Sequence, residues 1–320
     1  MYILGIESTA HTFGVGITDG NRILSNERDT FMPKKGGIVP REAAKHHYRK
    51  APEIIKSALE SAGISLQQVD MFAVSQGPGI LSCLKAGVSV GVFLSRKYKK
   101  PIIGVNHCIG HIEIGRLMTG FNDPVILYVS GGNTQIITYL NKRYAVFGET
   151  QDIGVGNLLD RVGRMLGIPF PAGPEIERLS NGGREYIRFP YTIKGMDVSF
   201  SGIETYVKNI IGIKRREDVC FSLQETVFSM LIEASERAMA YCGKTSLIIT
   251  GGVAANSRLN EMGKRMCAQR GAEFRALDKE YTGDNGAMIA YTGYLMMNEG
   301  KTEIRPRPRF RTDVVEINYR

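Results

Sequence analysis

The sequence predicts an α/β protein made of two similar halves, on three observations. Short apolar runs alternate with amphipathic stretches of helical spacing, the pattern of helices layered on a largely buried sheet. The second half opens as the first does. Ile3–Glu7, the polar turn Ser8-Thr9 and Phe13–Ile17 are echoed by Ile126–Ser130, Gly131-Gly132-Asn133 and Thr134–Tyr139. Between them Gly120–Pro124 reads as a loop, which sets the halves at 1–121 and 122–320, with the last residues free to return to the first half.

The elements follow in order. Ile3–Glu7 and Gly14–Thr18 are strand-like, Asp19-Gly20-Asn21 is a tight-turn signal, and a third run starts at Arg22. Glu42–Ala62 has helical spacing and Gly63 is its stop. Val69–Ser75 predicts a strand ending at Gly77-Pro78-Gly79, followed by a helix over 81–98 and a strand over 101–105. In the second half, Val155–Leu166 places its apolar residues on one helical side, and Pro169–Pro174 reads as a stiff loop. Helices are expected over 199–211 and 218–241, a buried strand over 246–250, a helix from about Ala255 to Arg270 and a last helix from about Asn285 to Met297. The tail Arg305–Arg311, RPRPRFR, is basic and broken by proline, so it is expected to be extended.

Composition excludes several classes. The chain has 320 residues, 43% hydrophobic and 23% charged, which disfavours disorder. No apolar run reaches the length of a bilayer span, and the N-terminus runs straight into a strand pattern without a signal-peptide layout. No membrane association is expected. The five cysteines are scattered with no Cys-x-x-Cys, so free thiols in a reducing cytoplasm are expected. A net charge of +9 raises the expectation of a polyanionic partner, although many basic proteins bind no nucleic acid.

Three constellations can carry chemistry. His107 and His111, four apart on a helix, point the same way and suit one metal; a helix also carries two histidines by chance. The residue after His107 is Cys108, not the glutamate of a zinc protease, which argues against metal-assisted peptide hydrolysis. Asp284, at the start of the last helix, is the candidate third ligand, or else simply a helix cap. Two imidazoles and one carboxylate leave open positions that suit iron or zinc. The second constellation is the set of turns Glu7-Ser8-Thr9, Ser130-Gly131-Gly132-Asn133 and Gly251–Asn256, each after a strand. Each reads either as a tight turn or as a cradle for a nucleotide-like ligand between the domains. Third, Asp160 and Glu177 are polar residues within otherwise apolar or rigid segments, read either as solvated charges or as partners of a ribose hydroxyl.

A family resemblance rests on motifs spread over nearly the whole chain: GIESTAHTFGVGI, KGGIVPREAAKHH, QGPGIL, NHCIGHIEIGR, YVSGGNTQ, PAGPEIE, SFSGIET, TGGVAANSRL and YTGDNGAM. In this order they resemble the archaeal and eukaryotic branch of the glycoprotease-like family, the tRNA N6-adenosine threonylcarbamoyltransferases of the KEOPS complex. SGGNT stands where bacterial relatives usually have SGGHT.

The resemblance implies an actin/Hsp70-like fold with a ligand and metal cleft between its two domains. It implies transfer of a threonylcarbamoyl group from threonylcarbamoyl-AMP to the N6 amine of the adenosine beside the anticodon. By motif match, His107, His111 and Asp284 would hold one divalent metal, Fe(2+) favoured over Zn(2+), with Tyr128 a fourth contact. Tyr128, Ser130, Gly131, Gly132, Asn133, Asp160, Gly173, Glu177 and Asn256 would line the adenylate pocket, which ATP or another adenine nucleotide would also fit. Glu7 is a candidate catalytic carboxylate or, equally, the partner of a nearby base. The partners implied are tRNA, a small protein kinase or ATPase subunit acting in trans, a dimerising subunit and an accessory subunit. An ATPase or small-metabolite kinase on the same fold is the rival reading, but it gives no reason for His107, His111 and Asp284 to converge. A basic protein that binds nucleic acid without turnover is the other.

Overall fold

The computed structural model describes residues 1–33, 37–299 and 303–320, so Lys35 and Gly36 of the second motif lie outside the described residues. In chain order the first half comprises β1 (Tyr2–Glu7), β2 (Thr12–Thr18), β3 (Ile23–Thr30), α1 (Pro40–Ala62), β4 (Val69–Gly77), α2 (Leu81–Tyr98), β5 (Ile102–Asn106) and α3 (His107–Thr119). The second half comprises β6 (Val125–Val129), β7 (Thr134–Leu140), β8 (Arg143–Glu149), α4 (Val155–Met165), α5 (Gly173–Ser180), a short hairpin of β9 (Ile193–Lys194) and β10 (Asp197–Val198), α6 (Ser201–Ile210), α7 (Arg216–Cys242), β11 (Ser246–Thr250), α8 (Ser257–Gln269), β12 (Glu273–Phe274), α9 (Lys279–Thr282) and α10 (Gly286–Leu295).

The duplication read from the two strand–turn–strand segments extends to whole sheets. The first sheet has the order β3-β2-β1-β4-β5 and the second, read from its other edge, β8-β7-β6-β11-β12. In each, the opening strand pairs antiparallel with its successor and parallel with a later strand: β1 with β2 and β4, β6 with β7 and β11. Contacts group Met1–Ile114, Asn141–Tyr144 and Asp284–Arg320 into one unit and Gly115–Leu140 with Ala145–Gly283 into the other.

The first unit's core is Leu4, Ile6, Phe13, Val15, Ile17, Phe72 and Val74, with Ile54, Ile55 and Ala58 of α1. Both faces of β2 are buried, because α1 packs against β2 and β3 while α10 packs on β1, β2 and β4. The contact of α10 requires glycine. A Cβ on Gly5 would lie 2.1 Å from the Ala290 nitrogen, one on Gly16 2.2 Å from the Ala287 nitrogen, and one on Gly286 2.1 Å from the Gly16 nitrogen. With no side chains in the way, helix and sheet approach backbone to backbone, bringing the start of α10 onto the sheet. The second unit buries a larger cluster that includes Leu127, Val129, Leu158, Val162, Phe200, Leu223 and Phe228. No helix among the described residues is long and apolar enough to cross a membrane.

Three local expectations are corrected. The stiff loop expected over Pro169–Pro174 ends early, because Gly173 and Pro174 open α5; proline in the first turn loses no helical bond. The helix expected from Ala255 begins at Ser257, after a 3₁₀ turn over Gly252–Ala255. Asn256 sets that start, its side chain accepting from the Arg258 and Leu259 N–H groups. The tail Arg305–Arg311, expected to be extended, turns at Pro308-Arg309, where the Phe310 N–H donates to the Arg307 carbonyl at 3.0 Å. Strand β8 carries no clear period-2 signal in RYAVFGE.

Candidate metal centre and its companion turns

The centre begins at a cap. Asn106, the last residue of β5, accepts from the Cys108 and Ile109 N–H groups at 2.9 and 3.2 Å through Oδ1 and so starts α3 at His107. His111 follows one turn later. The two rings lie 4.8 Å apart, nearly perpendicular at 86°. Asp284 precedes α10, and the cap of that helix is Asn285, whose Oδ1 accepts from the Met288 N–H at 2.9 Å. The capping alternative for Asp284 is therefore replaced by its neighbour. The Asp284 Oδ1 instead lies 3.3 Å from His111 Nε2 and 3.6 Å from His107 Nε2. One ligand atom from each of the three residues lies within 4.8 Å of the others, a group able to hold a metal ion.

Glu7, fully buried at the end of β1, backs this group. Its Oε2 is 3.0 Å from His107 Nδ1, and its Oε1 accepts from the Thr9 N–H at 2.6 Å. The Thr9 hydroxyl lies 3.2 Å from the same Nδ1. A neutral His107 donating Nδ1–H to Glu7 presents the lone pair of Nε2 towards Asp284 and His111. This is the carboxylate–histidine arrangement that orients metal-binding imidazoles. Of the two readings of Glu7, the geometry supports pairing with a base. Burial lowers the affinity of His107 for a proton, but the Glu7 and Asp284 carboxylates outweigh it and push its pKa up to about 9. Burial dominates at His111, which is held below the ordinary imidazole value despite Asp284. Burial alone would raise Asp284, yet the two imidazoles hold it well below the usual carboxylate range. A cation bound here displaces the His107 proton, because a ligating imidazole is neutral.

The matching turn of the second unit carries no charge. Its chain folds over when the Ser130 N–H donates to the Asn133 carbonyl at 2.8 Å and the Asn133 N–H to Ser130 Oγ at 3.1 Å. The N–H groups of Gly156 and Asn157 donate to the Ser130 and Gly131 carbonyls, seating the start of α4 against the turn. A Cβ on Gly132 or on Gly173 would meet nothing within 4 Å, so both glycines border open space.

Asp160, Glu177 and Asn256 of this unit all make structural bonds. Asp160 Oδ1 accepts from the Ala172 N–H at 2.8 Å, just before α5. Glu177 Oε1 accepts from the Ser257 N–H at 2.8 Å. Asn256 donates to Gln224 Oε1 at 2.6 Å, and Gln224 donates in turn to Ser180 Oγ. Tyr128 is fully buried at the end of β6 and belongs to the second unit, whereas the three converging ligands belong to the first. Sequence reasoning took Thr9 only as part of a turn and assigned no role to Asn106 or Gln224. Asn106 alone had a local signal, an Asn immediately before a helix start.

Comparison with known proteins gives this geometry a family. The TsaD model, tRNA N6-adenosine threonylcarbamoyltransferase, matches residues 22–291. A tRNA N6-adenosine threonylcarbamoyltransferase of Thermofilum pendens is 50% identical over 99% of this chain and 97% of its own length. That of Archaeoglobus fulgidus is 47% identical over the full length of both. A protein of Methanocaldococcus jannaschii named probable bifunctional tRNA threonylcarbamoyladenosine biosynthesis protein is 49% identical over all of this chain, which spans 60% of it. Among solved structures, HypF of T. kodakarensis superimposes with a TM-score of 0.68 at 11% identity, over 93% of this chain and 48% of that one. The ROK hexokinase of Thermus thermophilus gives 0.52 at 16%, over 94% and 100%. At such identities these two establish the fold alone, the actin/Hsp70-like α/β architecture. The chain belongs to the TsaD family of tRNA N6-adenosine threonylcarbamoyltransferases, transferases that modify tRNA.

Proposed function

We propose that the chain transfers the threonylcarbamoyl group from threonylcarbamoyl-AMP to the N6 amine of the adenosine next to the anticodon, in tRNAs that read codons beginning with adenine. It acts as the catalytic subunit of a KEOPS-type assembly in the cytoplasm, with a small kinase or ATPase subunit, a dimerising subunit and an accessory subunit. The word bifunctional in the name of the longer Methanocaldococcus relative supports a second activity working alongside this one. The observation that carries the reading is the convergence of His107, His111 and Asp284 within a chain of this family.

In the reaction the N6 nitrogen bonds to the carbamoyl carbon, the bond from that carbon to the phosphate oxygen breaks, AMP leaves and the amine gives up a proton. His107, His111 and Asp284 would hold one divalent metal, Fe(2+) favoured, which with open positions left would supply Lewis-acid polarisation of the donor. Glu7 fixes the tautomer and orientation of His107. Tyr128, Ser130, Gly131, Gly132, Asn133, Asp160, Gly173, Glu177 and Asn256 form the adenylate subsite. There the open faces of Gly132 and Gly173 let a ligand approach the backbone, and fixed loops supply orientation.

The test is reconstitution of the chain and its partners with tRNA, threonine, bicarbonate, ATP and the adenylate-forming enzyme, read as modified nucleoside by mass. Modified adenosine in the wild type and its loss in His111→Ala support the reading. ATP turnover without modified nucleoside would favour an ATPase on the same fold.

A further inference from the structure

Residues 303–311 run back over the first unit without regular secondary structure, ending in a turn at Pro308-Arg309. Every second residue from 305 to 311 is an exposed arginine, separated by Pro306, Pro308 and Phe310. The backbone of this strap is tied down by buried amides. Gln76 Nε2 donates to the carbonyls of Glu303 and Arg305 at 2.6 and 3.1 Å, and the Arg307 N–H donates to the Gln76 carbonyl at 2.6 Å. The Gly79 N–H donates to the Pro308 carbonyl at 3.1 Å. Gly77, at φ +139°, has the Arg307 oxygen 2.0 Å from where a Cβ would stand, so only glycine admits the strap at this point. Asn106 Nδ2 donates to the carbonyls of Phe310 and Arg311 at 3.0 and 3.3 Å, while its Oδ1 caps α3 one residue before His107. One buried side chain thus joins the strap to the helix that carries the candidate metal ligands.

The charge on the strap is only partly answered. Arg305 pairs with Glu303 at 3.2 Å and Arg311 with Asp313 at 2.9 Å, both in exposed pairs that contribute little stability. Arg307 and Arg309 form no ion pair among the described residues. The Arg307 guanidinium lies 3.5 Å from the centre of the Phe310 ring, which holds its plane in place. The two prolines lack an N–H, so the strap cannot recruit a peptide as a neighbouring strand. An anchored backbone with exposed guanidiniums, two of them with no carboxylate partner among the described residues, suits phosphate groups, which guanidinium binds in fork geometry.

We propose that Arg305, Arg307 and Arg309 form a phosphate-contacting track for the tRNA backbone, set in register with the His107 centre through Asn106. The proposal rests on the reading of tRNA as substrate and names the surface that holds it. An acidic partner protein is the competing occupant. The unpaired arginines Arg307 and Arg309 on an anchored strap and the net charge of +9 favour the nucleic acid.

The experiment measures binding of a labelled tRNA transcript to the full chain over a series of salt concentrations, for the wild type, Arg307→Gln/Arg309→Gln and Arg307→Lys/Arg309→Lys. The glutamine pair is expected to bind about tenfold or more weakly, with a salt slope smaller by about 1–2. Its KM for tRNA should rise while metal content and thermal midpoint stay at wild-type values. The lysine pair, which keeps charge but loses the fork, should retain the wild-type slope with reduced affinity. Equal affinity and slope in the glutamine pair would overturn the proposal while leaving the transfer reaction intact. Normal tRNA binding with loss of a partner subunit in the glutamine pair would overturn it in favour of protein docking. Absence of nucleoside modification by the wild type would instead strike the reading on which it rests.

Discussion

The two strand–turn–strand units of this molecule share a topology and differ in what their turns hold. After β1, the turn carries Glu7, whose buried carboxylate is spent on His107 and on the Thr9 N–H. After β6, the corresponding turn carries Ser130, Gly131, Gly132 and Asn133, closes on its own backbone and leaves Gly132 facing open space. One copy has become a dense cluster of ionisable groups, which needs a cation or protons to be stable when buried. The other has become a neutral loop of exposed backbone, which carries no side-chain charge to desolvate and which the proposed function assigns to the adenylate. The two turns occupy equivalent positions at strand ends; the first meets His107, and through it His111 and Asp284, while the second closes on its own backbone.

The largest effect should come from His111→Ala. Removing a fully buried imidazole from the charged turn's cluster is expected to lower transfer by about 10³-fold or more and to abolish metal retention, with circular dichroism unchanged. Transfer at wild-type rate in folded mutant protein would place the chemistry elsewhere. Glu7→Gln keeps the shape but removes the carboxylate behind His107. Metal affinity should fall by about 10–100-fold, measured by competition with a chelator, and excess metal should restore activity. Failure of added metal to rescue would return Glu7 to the role of base.

The glycines sharpen the contrast. Gly5→Ala pushes a methyl group into the α10 backbone and should destabilise by about 1–3 kcal/mol in urea denaturation. Gly132→Ala meets nothing, so stability should stay within about 0.5 kcal/mol while the KM for the adenylate donor rises. A destabilised Gly132→Ala would mean that the neutral turn is structural after all.

The smallest effect concerns a carboxylate of the second unit that, unlike Asp284, does cap a helix. Asp152 accepts from the N–H groups of Phe200 and Ser201 at the start of α6. Burial alone would raise its pKa, but these donors hold it below the ordinary value of 3.8. Its contribution is therefore present in full above that value and lost as pH falls through the lower folded one. Asp152→Ala should cost about 1 kcal/mol at neutral pH, and the gap to wild type should close in acid below that ordinary value. A gap that persists in acid would show that the cap does not depend on charge.

Much of this was legible in the sequence where the signal is local. The strand repeats, the helix over 81–98 and the i, i+4 histidines rest on periodicity, and the structure has each of them. Legibility fails where partners are distant in sequence. Asp284 and Asn285 are adjacent, and both residue types cap helices; only the approach of α10 through Gly5 and Gly16 directs the first towards the imidazoles and leaves capping to the second. The role of Glu7 stays open in sequence because its partner is 100 residues away. Asn256, singled out for a ligand pocket, also caps α8 and bonds Gln224, a partner that nothing near it in sequence announces.

Metal stoichiometry by elemental analysis, on wild-type protein purified without added metal and on Asp284→Ala prepared identically, tests the centre most directly. The account predicts about one transition-metal ion per wild-type chain and almost none in the variant. A wild type free of transition metal, or equal occupancy in the two proteins, would contradict it.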